Sequence, residues 1–287
     1  MKFTIFTPTY NRCKLIGRIY TYLVSENYKD LEWLIVDDGS TDATRTYIED
    51  ICLKSGNINI RYFYQKNAGK YVAFNKAIDE AKGEYFICLD SDDLYVKGAF
   101  RKLEKIAQDL TNTEAGICYL SSTEDGNIIG STLPPKVKSC DLIELYYKYG
   151  VTGDKGILHR TNILKKYRFP LFPGEKFATE TILYSQICEK YTYRLVNEVF
   201  EIKEYQENGL TDKYRELIKK NPCSSLCNYQ LVDKHEMNIK MTIRNTVRYL
   251  SFVFYLKSGW RQNFHKCNHK LFYVLLTPAG YIVGSRY

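Results

Sequence analysis

The feature that most limits the possible folds is a regular alternation of strand and helix patterns over the first 120 residues. Short apolar runs alternate with amphipathic stretches whose apolar residues recur at helical spacing, as at Leu15, Ile16, Ile19 and Leu23. Strands that alternate with helices of this length form right-handed βαβ units around a parallel sheet. The sequence therefore predicts an α/β protein with a mostly parallel central sheet flanked by helices.

The expected elements follow from these patterns. The strands of the first 120 residues are expected over 2–7, 31–36, 58–64, 85–89 and 116–120. The helices between them are expected over 13–25, 41–54, 70–82 and 97–110, with Gly83 as a C-cap. The later elements are expected as an irregular or hairpin stretch at 121–155, short strand 157–159, a short helix, long strand 193–205 and helices 214–219 and 238–256.

Polar and acidic residues follow three of the predicted strands, as Pro8-Thr9-Tyr10, Asp37-Asp38 and Asp90-Ser91-Asp92-Asp93. Ligands of such sheets bind outside the carboxyl ends of the strands, so we expect these residues to form one site. Carboxylates at a strand end are hard oxygen ligands suited to Mg²⁺ or Mn²⁺, which commonly bridge protein carboxylates to phosphates. The acidic run taken alone would fit a surface turn or a helix cap equally well.

Two familiar phosphate-binding loops are absent from the sequence. It contains neither G-x-G-x-x-G nor G-x-x-x-x-G-K-[ST]. A dinucleotide-binding Rossmann domain and a P-loop nucleotidase would each need one of them. If a diphosphate binds here, its charge must be neutralised mainly by a metal ion on the acidic cluster.

The motifs at the strand ends resemble those of family 2 glycosyltransferases in both order and spacing. They are TPTYNR at 7–12, VDDGSTD at 36–42, QKNAGK at 65–70 with Asn75, and LDSDD at 89–93. The resemblance is specific over residues 1–120 and weaker to about 211. It implies a GT-A fold, a nucleotide-diphospho-sugar donor and inversion at the anomeric carbon.

On the nucleobase side, the resemblance implies roles for the residues after the first two strands. Pro8, Thr9 and Tyr10 would lie against the base, with the Tyr10 ring stacked on it. Asp38, with or without Asp37, would bind uracil or another base through its carboxylate.

On the sugar and metal side, the resemblance assigns the remaining matched positions. Lys70 and Asn75 would line the nucleotide-sugar site, and Asp90 would face the ribose or the sugar. Asp92 would be the main ligand of a Mn²⁺ or Mg²⁺ ion, with Asp93 as the second choice.

The general base is expected where the family places an acidic pair at the start of a helix in its second half. Glu180 falls at the acidic position, but Thr181 stands where Asp is common, and Glu175 competes for the role. Glu180 could also simply favour the first turn of a helix through the helix dipole. The segment YQENGLT at 205–211 matches a diphosphate-contacting lid but lacks the His or Arg that relatives often carry there.

The resemblance divides the chain into a nucleotide-sugar-binding half (1–120), an acceptor-binding half (121–211) and a C-terminal extension (212–287). The extension is expected to be helical, and it carries 13 Lys+Arg against 4 Asp+Glu, whereas the whole chain has a net charge of +8. Such an excess suits nucleic acid, an anionic membrane or an acidic polymer, as well as a solvated basic face. The apolar run 271–283 is too short to span a bilayer, so it either lies at a membrane surface or packs on the catalytic domain.

The nine cysteines are odd in number and contain no C-x-x-C pair, which indicates a reducing cytoplasm and no disulfide framework. No secretory signal or membrane-spanning run is expected, so the protein is placed in the cytoplasm or peripherally at the inner face of the plasma membrane. The expected partners are a nucleotide-diphospho sugar and a glycan or lipid-linked acceptor, without nucleic acid.

The expected activity is metal-dependent transfer of a hexosyl or N-acetylhexosaminyl group, preferably from a UDP-linked donor, in cell-surface polysaccharide or lipid-linked glycan synthesis. A degenerate module that binds nucleotide sugar or glycan without turnover is the alternative. A sugar-nucleotide pyrophosphorylase would need a Gly-rich basic loop after the first strand, where this chain has PTYNR.

Overall fold

The computed structural model describes residues 1–54, 58–204 and 212–287. They fall into two compact units, which are described separately. The first unit contains the described residues among 1–140, 152–168 and 191–206. The second contains those among 141–151, 169–190 and 207–287. The sequence-based boundaries after residues 120 and 211 stay a prediction.

The first unit holds the strands and the helices that cover them. Its strands are β1 (Phe3–Thr9), β2 (Leu31–Asp37), β3 (Asn59–Tyr64), β4 (Tyr85–Cys88), β5 (Leu94–Tyr95), β6 (Glu114–Ser122), β7 (Ser139–Cys140), β8 (Lys155–Arg160) and β9 (Thr192–Ile202). Its helices are α1 (Cys13–Glu26), α2 (Thr44–Lys54), α3 (Lys70–Glu80), α4 (Ala99–Gln108) and α6 (Thr161–Leu164).

The described strands form one sheet in the order β3-β2-β1-β4-β8-β6-β9-β5, with β7 paired to β9. The strands β3, β2, β1 and β4 run parallel, and β8 pairs antiparallel with both β4 and β6. The α/β prediction is confirmed, with a parallel half that carries the first four strands and a mixed half beyond them. Because the four parallel strands point the same way, their carboxyl ends meet at one edge.

The core of the parallel half explains why these segments become strands. All seven residues of β2 are buried, as expected of a strand covered on both faces. Trp33 is fully buried, and its indole N–H donates to Thr7 Oγ1 at 3.0 Å, so its polar atom is satisfied inside the core. On the covering helix α1, Ile16, Ile19 and Leu23 are buried at the predicted spacing. Burial of one such side chain contributes about 1.5–3 kcal/mol.

The predicted C-cap role of Gly83 is wrong. Helix α3 ends at the C-cap Ala81, whose φ of −56° lies outside the left-handed region. Gly83 is needed for a different reason, because a Cβ at this position would lie 2.3 Å from the backbone nitrogen of Thr4. Its own N–H donates to Thr4 Oγ1 at 2.9 Å, which ties the start of β4 to β1.

The second unit is helical in its described residues. Its helices are α5 (Leu142–Tyr147), α7 (Thr181–Cys188), α8 (Tyr214–Lys220), α9 (Pro222–Val232), α10 (Ile239–Tyr255), α11 (Trp260–Lys266), α12 (Lys270–Leu275) and α13 (Thr277–Gly284). The sequence predicted only α8 and α10 after residue 212, and it missed the other four. Among the helices of the described ranges, none combines the length and the hydropathy needed to cross a bilayer.

Candidate active site

The loops after β1 and β2 are held together by Asn11, which the sequence analysis did not single out. Asn11 adopts a left-handed backbone conformation with φ of 54°. Its Oδ1 accepts from the N–H of Thr41 at 2.8 Å, and its own N–H donates to Ser40 Oγ at 2.9 Å. The adjacent N–H of Arg12 donates to Thr44 Oγ1 at 3.0 Å. Asn tolerates this conformation better than most residues, which was the signal available in the sequence.

The residues predicted to contact a nucleobase lie at this edge. Tyr10 is 48% exposed, so its ring has a face open for stacking, and Pro8 is half-buried. Thr9 is buried, and its hydroxyl has no hydrogen-bond partner among the described residues. A buried hydroxyl without a hydrogen-bond partner carries a free-energy cost. The assignment of these three residues to the base remains a prediction.

Asp38 organises the loop that leads into α3. Its carboxylate accepts from Gln65 Nε2 at 2.7 Å and from the N–H groups of Ala68 and Gly69 at 2.8 and 2.9 Å. Its own N–H donates to the carbonyl of Thr9 at 2.8 Å. A carboxylate offers about four acceptor positions, so Asp38 retains limited capacity toward a ligand. Its first role here is to fix the start of α3.

Asp37 is enclosed by hydrogen bonds, and its predicted role at the base stays a prediction. Asp37 is fully buried, with 0% of its surface exposed. One carboxylate oxygen accepts from the N–H of Ser40 at 2.8 Å, and the other accepts from the Tyr62 hydroxyl at 2.9 Å. These bonds hold the VDDGSTD turn, so Asp37 supports the site from beneath.

Lys70 and Asp90 form an ion pair at the edge of the sheet. The Lys70 ammonium lies 2.7 Å from one Asp90 carboxylate oxygen and 2.8 Å from the other. Burial acts to raise the pKa of Asp90, but the ammonium groups of Lys70 and Lys203 outweigh it and the net pKa is lowered. Asp90 is therefore ionised, and both side chains keep about a third of their surface exposed. Asn75 lies further along α3 and is half-buried.

Asp92 lies next to these groups and carries a different balance of charges. Its side chain is 23% exposed, and its carboxylate lies 3.5 Å from the Arg12 guanidinium. Burial and the negative charge of Asp90 raise the pKa of Asp92. A second cation close to both carboxylates would lower the free energy of this arrangement.

Asp93 forms a buried ion pair, and its predicted role as the second-choice metal ligand stays a prediction. Its side chain is buried, and one carboxylate oxygen lies 2.9 Å from the Lys203 ammonium. Burial and the carboxylates of Glu201 and Asp90 raise the pKa of Asp93 to about 7, against the opposing effect of Lys203. Its other oxygen accepts from the N–H of Glu204 at 3.3 Å. Asp93 thus links the acidic loop to the end of β9.

The residues at the sheet edge fit a divalent cation that is held by only one or two protein ligands. No group of three or more His, Cys, Asp or Glu side chains in ligating arrangement occurs within the described ranges. Mg²⁺ is usually held by one or two carboxylates together with substrate phosphates and waters. Asp92 and Asp90 supply two hard-oxygen carboxylates, and burial together with the negative charge of Asp90 raises the pKa of Asp92, an effect that a bound cation would oppose.

The two candidate bases belong to the second unit and differ in what they do there. The Glu175 carboxylate accepts from the N–H groups of Cys223 and Ser224 at 2.7 and 2.8 Å, which caps the start of α9. Glu180 stands at the N-cap of α7 without a capping hydrogen bond from its side chain, and it accepts from the Tyr184 hydroxyl at 3.4 Å. Glu180 stays the predicted base, and Glu175 stays its competitor. The predicted lid at 205–211 lies outside the described residues.

The comparisons with known proteins define the class. The family model described as glycosyl transferase family 2 matches residues 4–168. The chain therefore belongs to glycosyl transferase family 2. The match begins in β1 and runs through every strand-end motif of the parallel half, so the sheet-edge site described above lies within the part that defines the family.

Curated relatives show where the similarity extends. An uncharacterized glycosyltransferase of Nostoc sp. is 28% identical over 181 residues, covering 60% of this chain and 55% of that protein. The GalNAc(5)-diNAcBac-PP-undecaprenol beta-1,3-glucosyltransferase of Campylobacter jejuni is 30% identical over 129 residues, covering 44% of this chain and 40% of that protein. The aligned region thus spans about half or less of these relatives.

Solved structures confirm the GT-A fold. S. aureus TarS 1-349 in complex with UDP-GlcNAc is 18% identical, with a TM-score of 0.62 and coverage of 100% of this chain and 90% of that chain. The mannosyltransferase PcManGT from Pyrobaculum calidifontis, in complex with GDP-Man and Mn²⁺, is 15% identical, with a TM-score of 0.56 and coverage of 99% and 86%. At these identities the likeness establishes the fold.

Proposed function

We propose that the protein transfers a hexosyl or N-acetylhexosaminyl group from a UDP-linked donor to an acceptor hydroxyl, with inversion and with a divalent metal. The observation that carries the proposal is the partly exposed Asp92 carboxylate, placed beside Asp90 and Arg12 at the edge where the parallel strands end. The UDP-GlcNAc complex of TarS supports uridine as the base. Family membership supports transferase chemistry.

In the proposed reaction the acceptor oxygen bonds to the anomeric carbon while the bond from that carbon to the diphosphate oxygen breaks. The acceptor proton passes to the Glu180 carboxylate, and the nucleoside diphosphate leaves with the electron pair. Attack opposite the leaving group inverts the anomeric configuration. Glu180 is taken as the base because it falls at the acidic position that the family resemblance implies, whereas the Glu175 carboxylate caps α9.

The chain's own residues divide the remaining work. Tyr10 stacks on the base, and Lys70 with Asn75 lines the nucleotide-sugar site. Asp92, with Asp90 beside it, would hold Mn²⁺ or Mg²⁺, which when bound supplies positive charge to the diphosphate as it leaves. Arg12 and Lys70 hold the two carboxylates in place until then.

The proposed setting is the bacterial cytoplasm, in the synthesis of a cell-surface polysaccharide or a lipid-linked glycan. The acceptor would be a glycan or a lipid-linked intermediate. The name of the Campylobacter relative, which specifies an undecaprenol-linked acceptor, supports this setting. Nucleic acid is not proposed as a partner.

Turnover with a panel of UDP-sugars tests the proposal. Each donor is incubated with Mn²⁺, and release of UDP is measured for the wild type, for Asp92→Asn and for Asp125→Asn, whose parent residue is an exposed turn residue of the first unit. We expect the wild type and Asp125→Asn to turn over one donor and Asp92→Asn to lose at least about 100-fold in rate. A fully active Asp92→Asn variant would contradict the metal assignment. Binding of UDP without turnover of any donor would favour the non-catalytic module.

A further inference from the structure

The last two helices present an exposed apolar surface, which we call the α12–α13 ridge. It consists of Leu271, Val274 and Leu275 on α12 and Tyr281 and Ile282 on α13. On α12, Leu271 lies three positions before Val274 and four before Leu275, so it shares a face with each of them, whereas Tyr281 and Ile282 are adjacent on α13. Each is between 48% and 70% exposed, which is unusual for five large apolar side chains in one short segment.

Two glycines bring α13 close to α10 within its own unit. The inner face of α13 is made of Gly280 and Gly284, one helical turn apart. A Cβ at Gly280 would lie 2.3 Å from the Leu250 Cβ, and a Cβ at Gly284 would lie 2.4 Å from the Ser251 carbonyl oxygen. The small residues thus face α10. Tyr281 also contacts α10, with its ring centroid 5.4 Å from that of Phe254 in an edge-to-face arrangement, but it stays 60% exposed, and Ile282 is 52% exposed.

The polar groups of the same segment are used inside the unit. The Thr277 hydroxyl donates to the carbonyl of Tyr273 at 2.8 Å and accepts from the Trp260 indole N–H at 2.9 Å. The Tyr273 hydroxyl donates to the carbonyl of Trp260 at 3.2 Å. The ridge therefore offers a partner mostly apolar contact, with the hydroxyl of the exposed Tyr281 as its polar group. Tyr is enriched where an apolar phase meets water.

The stretch of sequence that carries the ridge has charged side chains of one sign. Residues 237–287 contain eight Lys+Arg and no Asp or Glu. Lys270 immediately precedes the ridge, Arg286 follows it, and Lys266 and Arg261 lie on the preceding helix, all of them exposed. Basic side chains beside an apolar helix face complement a surface that is apolar within and anionic at its rim.

We propose that the α12–α13 ridge docks on an anionic phospholipid bilayer. Leu271, Leu275 and Ile282 enter the boundary between headgroups and acyl chains, and the flanking cations contact the phosphates. The proposal that the ridge binds a bilayer does not depend on the proposed reaction. Only the proposed use of this binding, which is access to a lipid-linked acceptor, rests on that reaction.

Flotation with vesicles tests the docking. The full chain is mixed with vesicles of phosphatidylcholine alone, or with phosphatidylglycerol at roughly one lipid in three, at low and high salt. We expect binding to the anionic vesicles that weakens with salt, because exposed charges are screened. The double variant Leu271→Gln/Leu275→Gln should bind at least about tenfold more weakly. The matched control is Leu53→Gln, since Leu53 is 89% exposed on α2 in the other unit, and it should bind as the wild type does.

A charge variant separates lipid from other occupants. Lys266→Gln/Lys270→Gln should weaken binding at low salt, while Lys136→Gln/Lys138→Gln, which removes two exposed lysines of the first unit, should not. Wild-type protein that ignores anionic vesicles, or a leucine variant that binds them unchanged, would overturn the proposal. So would sedimentation showing a dimer that the leucine variant abolishes, since the occupant would then be a second copy. Release of UDP from a donor sugar is measured in parallel without lipid, and the leucine variant should release UDP at the wild-type rate. If the wild type releases no UDP, the proposed reaction is contradicted, but the proposed membrane docking is not.

Discussion

The acidic residues at the sheet edge differ in the groups that they bind. Asp37 is enclosed by Ser40 and Tyr62, and Asp93 is held by Lys203. Asp90 and Asp92 keep partly exposed carboxylates beside Lys70 and Arg12. Adjacent residues of similar chemistry thus have different partners, and Asp90 and Asp92 are the pair proposed to bind the donor diphosphate and its metal.

Replacing each of the two candidate bases by Gln, in separate variants, tests the roles of single residues. Glu180→Gln should lower the turnover rate by about 100-fold to 10,000-fold with little change in donor affinity, because the variant lacks the carboxylate that accepts the acceptor proton. Glu175→Gln should retain turnover but lower the unfolding free energy by about 1 kcal/mol, because a carboxylate at the N-terminus of α9 is lost. Initial rates and urea unfolding of both variants provide the measurement. Unchanged turnover in Glu180→Gln would move the base elsewhere.

The sequence allowed the motifs to be found but could not rank the residues within them. Consecutive Asp residues look alike in a sequence, and the deciding partners are distant along the chain. Lys203 lies 110 positions after Asp93, and Tyr62 lies 25 positions after Asp37. Their pairing is set by the order of the strands in the sheet, which single-sequence patterns do not give.

At the level of elements, prediction succeeded where the pattern was periodic and long. The first four strands, helices α1 to α4 and helix α10 all agree with their predicted ranges to within about three residues. Helix α9 and helices α11 to α13 were missed, and Pro278 and Gly280 interrupt the pattern of the last of them. In the structure Pro278 occupies the first turn of α13, where its missing N–H costs nothing.

An ion pair and hydrogen bonds that link β6, β7 and β9 predict how the free energy of unfolding depends on pH. The buried carboxylate of Glu114 lies 2.6 Å from the Arg194 guanidinium and also accepts from Ser139 and from the N–H of Thr111. Burial alone would raise the pKa of Glu114, but these hydrogen bonds lower it from 4.5 to about 2. A depressed folded-state pKa stabilises the fold above the unfolded pKa, and the contribution is lost as pH falls between them.

Urea unfolding across pH measures this contribution. Between wild type and Glu114→Gln, the gap in unfolding free energy should reach about 3 kcal/mol above pH 5 and shrink steadily toward pH 2. Glu49→Gln is the matched control, since its exposed pair with Arg45 should contribute under about 1 kcal/mol. A gap for Glu114→Gln that does not change with pH would show that the carboxylate titrates alike in the folded and unfolded chain.

At the scale of the whole molecule, chemistry and charge are segregated along the sequence. The family motifs lie within residues 4–168, whereas the carboxylate-free stretch and its eight cations lie at 237–287. The first part supplies the proposed donor site, and the second supplies the proposed membrane surface. The excess of cations is evident from composition alone. Which apolar side chains of the stretch face outward is not, because that depends on how Gly280 and Gly284 seat α13 against α10.

The central claim is that the carboxylates at the sheet edge bind a nucleoside diphosphate together with a divalent metal. Thermal unfolding with UDP, GDP, TDP or CMP, each with and without Mn²⁺, tests it most directly. A ligand at about 100 times its Kd adds about 2.7 kcal/mol to the unfolding free energy. We predict a shift for UDP that requires Mn²⁺ and disappears in Asp92→Asn. No shift with any nucleotide, or a UDP shift that is the same without Mn²⁺ and in Asp92→Asn, would contradict the account.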